Sequence, residues 1–287
     1  MTPEHRYPAL GRGVWLVLLR NEWFKARHRL AFVVALAMYA FITVMEHASS
    51  VMSAREREDV EYALPDAWSQ IFSGDSILLL IFGSIVVIML TSSEFTWRTA
   101  RQNVIDGLGK MQWFTGKVFL LVLVGAVFLT VKVGIGVVAA LLGTDFSAGA
   151  TLFPLSAFAA AGALVVAFLS TGGLALLISL SARSSGPAMA LWFFWITMAE
   201  QLIPAIVVRF APSTEALFQY LPFAAAQQVL AFPVFDAGVQ ERIVRRAEAA
   251  GNVPPDFPDP SLWVGVNAAW ALVFLGVAWI LFQRRDL

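Results

Sequence analysis

Cysteine is absent from this 287-residue chain. That excludes a disulfide framework and a thiolate metal site. Histidine is scarce. His5, His28 and His47 lie far apart in sequence, so no metal cluster is expected. Charge is sparse too: Asp, Glu, Lys and Arg make up 14% of residues, against roughly 25% in soluble domains. The formal net charge is zero, so no global field draws nucleic acid. A complete phosphate-binding loop is also missing. "GLGK" at 107–110 offers glycine and lysine, but Met111 stands where Ser or Thr is required, and no strand precedes it. The chain is therefore expected neither to hydrolyse ATP by itself nor to hold a cofactor of its own.

Catalytic constellations are missing in the same way. Ser84 in "FGSI" has no histidine at its depth to serve as a base. Asp75 and Asp145 fall at the outer ends of apolar runs, where they read as solvated loop residues rather than a paired acid site. No run carries the periodic arginines of a voltage sensor, and no segment carries a carbonyl-filter signature.

What the chain has in abundance is long apolar sequence, with 59% hydrophobic residues. A membrane-crossing helix needs about 20 apolar residues. Six runs qualify: Leu30–Ser50, Asp75–Ser93, Val118–Leu142, Leu152–Leu180, Pro187–Val208 and Leu262–Phe282. The predicted fold is an all-α integral membrane protein. Residues 1–29 form a cytoplasmic N-terminus, and 30–287 form one six-helix domain. No cleavable signal peptide is expected, because the apolar stretch Val14–Leu19 is too short for one. Lys and Arg set the orientation. Thirteen fall on the side of the termini and six on the other, with Lys132 inside a span. Both termini are thus predicted cytoplasmic.

The connections carry further information. Residues 8–29 read as a helix along the membrane surface, with Trp15, Trp23 and Phe24 suited to the interface. Residues 51–74 read as a solvated helix and turn. The external segment 209–261 holds "FQYLPFAAAQQVLAFPVF", which Pro222 and Pro233 prevent from being one uninterrupted span. It reads as a re-entrant hairpin dipping in from outside. A helix follows, with Asp236 as a candidate N-cap and Gly251 as its stop.

Two full charges lie inside spans, Lys132 and Glu200. Counted from Val118 and Pro187, each stands roughly 20 Å from the cytoplasmic end. Opposite sign and matching depth predict a buried ion pair, or two residues on a substrate path, since a lone charge there costs at least ~3 kcal/mol. Ala159, Ala160, Gly162, Ala163, Thr171, Gly172 and Gly173 line the fourth span and read as close helix packing.

Between the second and third spans lies a polar insert, "EFTWRTARQNVIDGLGKMQWFTGK" at 94–117. As a helix over 94–108, it sets Trp97, Ala100, Val104 and Leu108 in one apolar stripe. Arg98, Arg101, Gln102 and Asp106 project from other faces, and Gly107 and Gly109 are suited to end it. One face rests on the membrane side and a polar face meets the cytoplasm.

In this context the layout resembles the permease subunit of a type 2, six-span ATP-binding cassette exporter. "LRNEWFKARHR" at 19–29 looks like that family's elbow helix. "SSEFTWRTARQNVIDGLGKMQWFTGKVF" at 92–119 looks like its segment in which a Glu ends the second span, a coupling helix (94–110) follows, and a Gly-Lys opens the third. The broken segment 214–235 resembles its re-entrant helices, and "FQRRDL" at 282–287 its tail. The resemblance implies a separate cytoplasmic ATPase subunit, which carries ATP and Mg, and a second permease copy or paralogue. It implies contact with the ATPase through Glu94, Arg98, Arg101, Gln102 and Asp106. It also implies export of a lipid, glycan, peptide or drug-like molecule across the inner membrane of a prokaryote. The alternative is a non-transporting scaffold or sensor that signals through an ATPase.

Overall fold

The computed structural model describes residues 12–56, 62–97, 108–144, 152–230, 241, 244–245, 247–249, 251–254 and 260–284. The described elements are helices, with no strand among them. They are α1 (Arg12–Arg27), α2 (Leu30–Glu56), α3 (Ala67–Phe72), α4 (Ser76–Thr96), α5 (Lys110–Leu141), α6 (Leu155–Ala182), α7 (Ser185–Phe194), α8 (Glu200–Phe210), α9 (Glu215–Phe218), α10 (Pro222–Leu230) and α11 (Pro260–Arg284). A π-helical turn, Trp195–Ala199, joins α7 to α8. Six helical stretches are long and apolar enough to cross a membrane: Leu30–Glu56, Ala67–Thr96, Lys110–Leu141, Leu155–Ala182, Ser185–Phe210 and Pro260–Arg284. They match the six expected runs in order, with shifted ends.

Helix α6 is the core. It is buried continuously from Ser170 to Leu176 and packs against α11, α4, α5, α7 and α10. The small residues of this span explain how. Phe168 projects into sockets made by glycines, since a Cβ on Gly83 of α4 would stand 2.4 Å from its ring and one on Gly125 of α5 2.5 Å. Ala160, Ala163, Thr171, Gly172 and Gly173 are buried as close packing requires. Ala159 and Gly162 instead face outward.

The near end of the bundle is where α1 packs on α5, with Trp15 edge-on to Phe119 at 6.1 Å. The far end holds α3. The described part of the stretch nearest α4 departs from the solvated helix and turn expected of 51–74: Ala67, Trp68, Ile71 and Phe72 are all buried. They share one face of a short helix, and Trp68 Nε1 donates to the Leu152 carbonyl at 2.8 Å. The apolar stripe outweighs the charges that precede it.

Pro222 does not merely interrupt the outer segment. It opens α10, where its missing N–H is harmless. Phe223, Ala225, Ala226 and Val229 of α10 are buried against the bundle. The Tyr220 carbonyl accepts from Trp270 Nε1 at 2.7 Å. Trp270 lies ten residues into α11, so the start of α10 sits about 15 Å down from the far end. Residues 231–235, the rest of the expected hairpin with Pro233, lie outside the described residues, and so does Asp236. Gly251 does end a helix, with φ +70° and an Asn252 N–H to Ala247 carbonyl bond of 2.8 Å, the closure glycine favours.

Candidate functional site

Two buried charge clusters fasten α4 to α5, one at each end. At the near end, Glu22 of α1, Glu94 of α4 and Lys117 of α5 meet. Lys117 is 1% exposed. Its Nζ donates to Glu22 Oε2 and to Glu94 Oε1, each at 2.8 Å. Lys25 Nζ donates to the same carboxylates, at 3.0 Å to Glu22 Oε1 and 3.0 Å to Glu94 Oε1. Two ammonium groups and two carboxylates thus alternate, and the set is neutral. Trp113 Nε1 donates to Glu94 Oε2 at 3.0 Å, and its ring stacks on Phe282 of α11 at 4.5 Å. The cluster joins α1, α4 and α5, and Trp113 brings in α11.

This arrangement revises the reading of the insert. Residues 94–96 belong to α4, and α5 begins at Lys110. The expected helix stop at Gly107 lies outside the described residues, and Gly109 stands at the entry to α5. Its N–H is accepted by Gln112 Oε1 at 3.0 Å. Trp97 follows the end of α4 and lies under the Arg29 guanidinium, 4.1 Å from the ring centre. Glu94, expected on the face offered to an ATPase, is enclosed by Lys25, Lys117 and Trp113. It is buried at the base of the insert. Arg98, Arg101, Gln102 and Asp106 lie outside the described residues.

At the far end, Asp75 precedes the first turn of α4. Its carboxylate accepts from the buried ammonium of Lys132 on α5 and from the Thr43 hydroxyl of α2 at 2.5 Å. Glu46 of α2 accepts the Asp75 N–H at 3.1 and 2.9 Å. Gly74 makes room for that carboxylate, since a Cβ there would stand 1.7 Å from Glu46 Oε1. Beside it, Tyr62 OH and His47 Nδ1 are 2.6 Å apart. Burial, then the Glu46 and Asp75 charges, push the Tyr62 hydroxyl well above its usual range, so it stays protonated.

The expected pairing of Lys132 with Glu200 is therefore not formed. Helix α5 starts eight residues earlier than the apolar run suggests. Lys132 thus lies 22 residues into it, about 33 Å along, whereas Glu200 lies about 22 Å beyond Ser185. The depths differ, and Asp75 stands where Lys132 arrives. Asp75 is correspondingly 7% exposed rather than solvated. Glu200 is satisfied elsewhere. It accepts from the backbone N–H groups of Phe223, at 3.0 Å to each oxygen, and Ala224, at 2.9 Å. Trp195 Nε1 adds a third donor at 2.6 Å. A carboxylate at a helix N-terminus is stabilised by the unsatisfied N–H groups and the helix dipole. Glu200 thus clasps α10 to the joint between α7 and α8. Asp145 lies outside the described residues.

Among the described residues, six apolar helices with buried charges where helices meet describe a multi-pass membrane protein. A family model described as ABC-2 family transporter protein matches residues 18–200. The chain belongs to that family. The match runs from α1 to Glu200 and so includes both charge clusters. No curated protein matches the chain. ABC-2 proteins of this kind are permease subunits of ATP-binding cassette transporters, and the family implies an ATPase partner. Sequence reasoning missed Glu22, Lys25 and Lys117 as a unit. Their signal was Glu22 and Lys25 one turn apart, with Glu94 and Lys117 flanking the insert.

Proposed function

We propose that this ABC-2 chain is the membrane half of an exporter, working as two copies, or with a paralogue, beside two separate cytoplasmic ATPase subunits. One observation carries the proposal. The segment 98–107 leaves α4 and enters α5, and those helices are fastened at both ends, by Glu94–Lys117 and Asp75–Lys132. A displacement delivered to 98–107 is then passed to a pinned helix pair rather than lost in sliding. The near end is the cytoplasmic one in this reading, supported by the thirteen Lys and Arg assigned to that side. ATP and Mg belong to the partner, and the cargo is a lipid, glycan, peptide or drug-like molecule leaving a prokaryotic cell.

The test reverses the charges of the insert. Arg101→Glu with Asp106→Arg should leave thermal stability unchanged. ATPase stimulation and transport should fall in liposomes holding both subunits, because like charges brought together at a docking surface cost several kcal/mol. Full coupled transport by the double variant refutes docking through this segment. Substantial ATP hydrolysis by the isolated chain refutes the separate ATPase.

A further inference from the structure

A groove of about 680 Å³ runs between α2 and α5 toward the far end. Val44, Ala48 and Met52 form one wall, and Gly134, Val138 and Leu142 the other. Val44, Met52, Val138 and Leu142 are exposed, so the groove opens outward from the bundle. In a membrane-spanning chain that direction is the acyl-chain region. A Cβ on Gly134 would meet no atom within 4 Å, so a glycine leaves the floor open. Apart from the buried His47, the lining is apolar up to Arg55 at the far end.

Length and charge say what fits. Val44 and Arg55 are eleven residues apart, about 16 Å along a helix. That is about half of the ~30 Å hydrocarbon core, the depth of one leaflet. The cation stands where a headgroup would, and an arginine fork matches phosphate oxygens. We infer that this groove holds one acyl chain of an anionic phospholipid from the far-side leaflet, with its phosphate at Arg55. His47 also lines the groove, and its Nδ1 meets Tyr62 OH. The bound chain therefore touches a side chain that sits beside the Lys132–Asp75 cluster.

The inference needs no ATPase, so its test stands apart from the transport reading. The purified chain is stripped of loosely held lipid, then titrated with phosphatidylglycerol or phosphatidylcholine of identical chains, and bound lipid is counted by native mass spectrometry. One tightly held lipid per chain is expected, with phosphatidylglycerol favoured about fivefold, the effect of one cation near a charged headgroup. Arg55→Gln should keep the lipid and lose the preference. Gly134→Leu occupies the open floor and should weaken retention at least about tenfold, since each displaced methylene is worth roughly fourfold. Ala48→Phe fills the groove from the opposite wall, should Gly134→Leu not yield folded protein. Equal binding of both lipids by the unaltered chain overturns the inference. So does undiminished retention in the filled variants, or a second copy of the chain cross-linking into the groove in place of lipid.

Discussion

Replacing Lys117 by Met tests the near-end cluster most directly. Met keeps most of the stem's volume and removes the ammonium. Two hydrogen bonds of 2.8 Å disappear, and Glu22 and Glu94 are left facing each other. Removing one partner of a buried ion pair costs roughly 3–5 kcal/mol. Lys25 still donates to both carboxylates, but its side chain is 41% exposed, so it offsets only part of the loss. The expected cost is about 3 kcal/mol, the lower end of that range. At about 2–4 °C per kcal/mol for a chain approaching this size, thermal unfolding in detergent should fall by about 6–12 °C. Lys25→Met removes a solvent-screened charge and should cost no more than about 1 kcal/mol. Adding Glu94→Gln to Lys117→Met removes the stranded charge and should recover part of the loss. If Lys117→Met shifts the midpoint no more than Lys25→Met, or if the double change is strictly additive, the cluster does not hold these helices together.

Two further outcomes follow from the pairings. Lys132→Met and Asp75→Asn should each lower stability by roughly 3–5 kcal/mol and recover in combination. Lys132→Met with Glu200→Gln should be additive, because the two are not partners; the reverse result in a thermal double-mutant cycle would restore the Lys132–Glu200 pair. Gly125→Ala places a carbon 2.5 Å from the Phe168 ring and should cost about 1–3 kcal/mol by overpacking. Phe168→Leu in the same chain should relieve that cost, and a loss that Phe168→Leu deepens would mean that the ring is not seated in the glycine socket.

The spans could be read from sequence because hydrocarbon thickness demands about 20 apolar residues regardless of packing. The partners of the buried charges could not, because pairing depends on where each helix begins. Trp113 and Phe114 lie in a stretch that also holds Lys110, Gln112 and Lys117, which pulls the apparent start of α5 forward to Val118. The Gln112 cap on Gly109 moves the true start back by more than two turns. That shift carries Lys132 past the depth of Glu200 to Asp75. For α3, the stripe of Ala67, Trp68, Ile71 and Phe72 is visible in "DAWSQIF", but "REREDVE" before it dominates any windowed reading. Glu94 is legible in the sequence as a residue of the insert. Its burial is not, because Lys25 comes from a helix 69 residues away in the chain.

Mechanically, the two clusters and the Phe168 socket act on the same helices. Between Asp75–Lys132 at one end and Glu94–Lys117 at the other, Phe168 of α6 is seated against Gly83 of α4 and Gly125 of α5. Helices α4 and α5 are thus tied at both ends, with α6 seated against both between them, and a close-packed core transmits strain instead of absorbing it. The fifth span is built differently. A π-helical turn interrupts it at Trp195–Ala199, Pro204 removes a backbone donor within α8, and Leu202, Ile203, Ile206 and Phe210 face outward. Such turns relax the helical ladder locally. Glu200 is placed at the end of that turn, and its carboxylate grips the first N–H groups of α10. The stiff element and the compliant one therefore meet where the re-entrant helix is held.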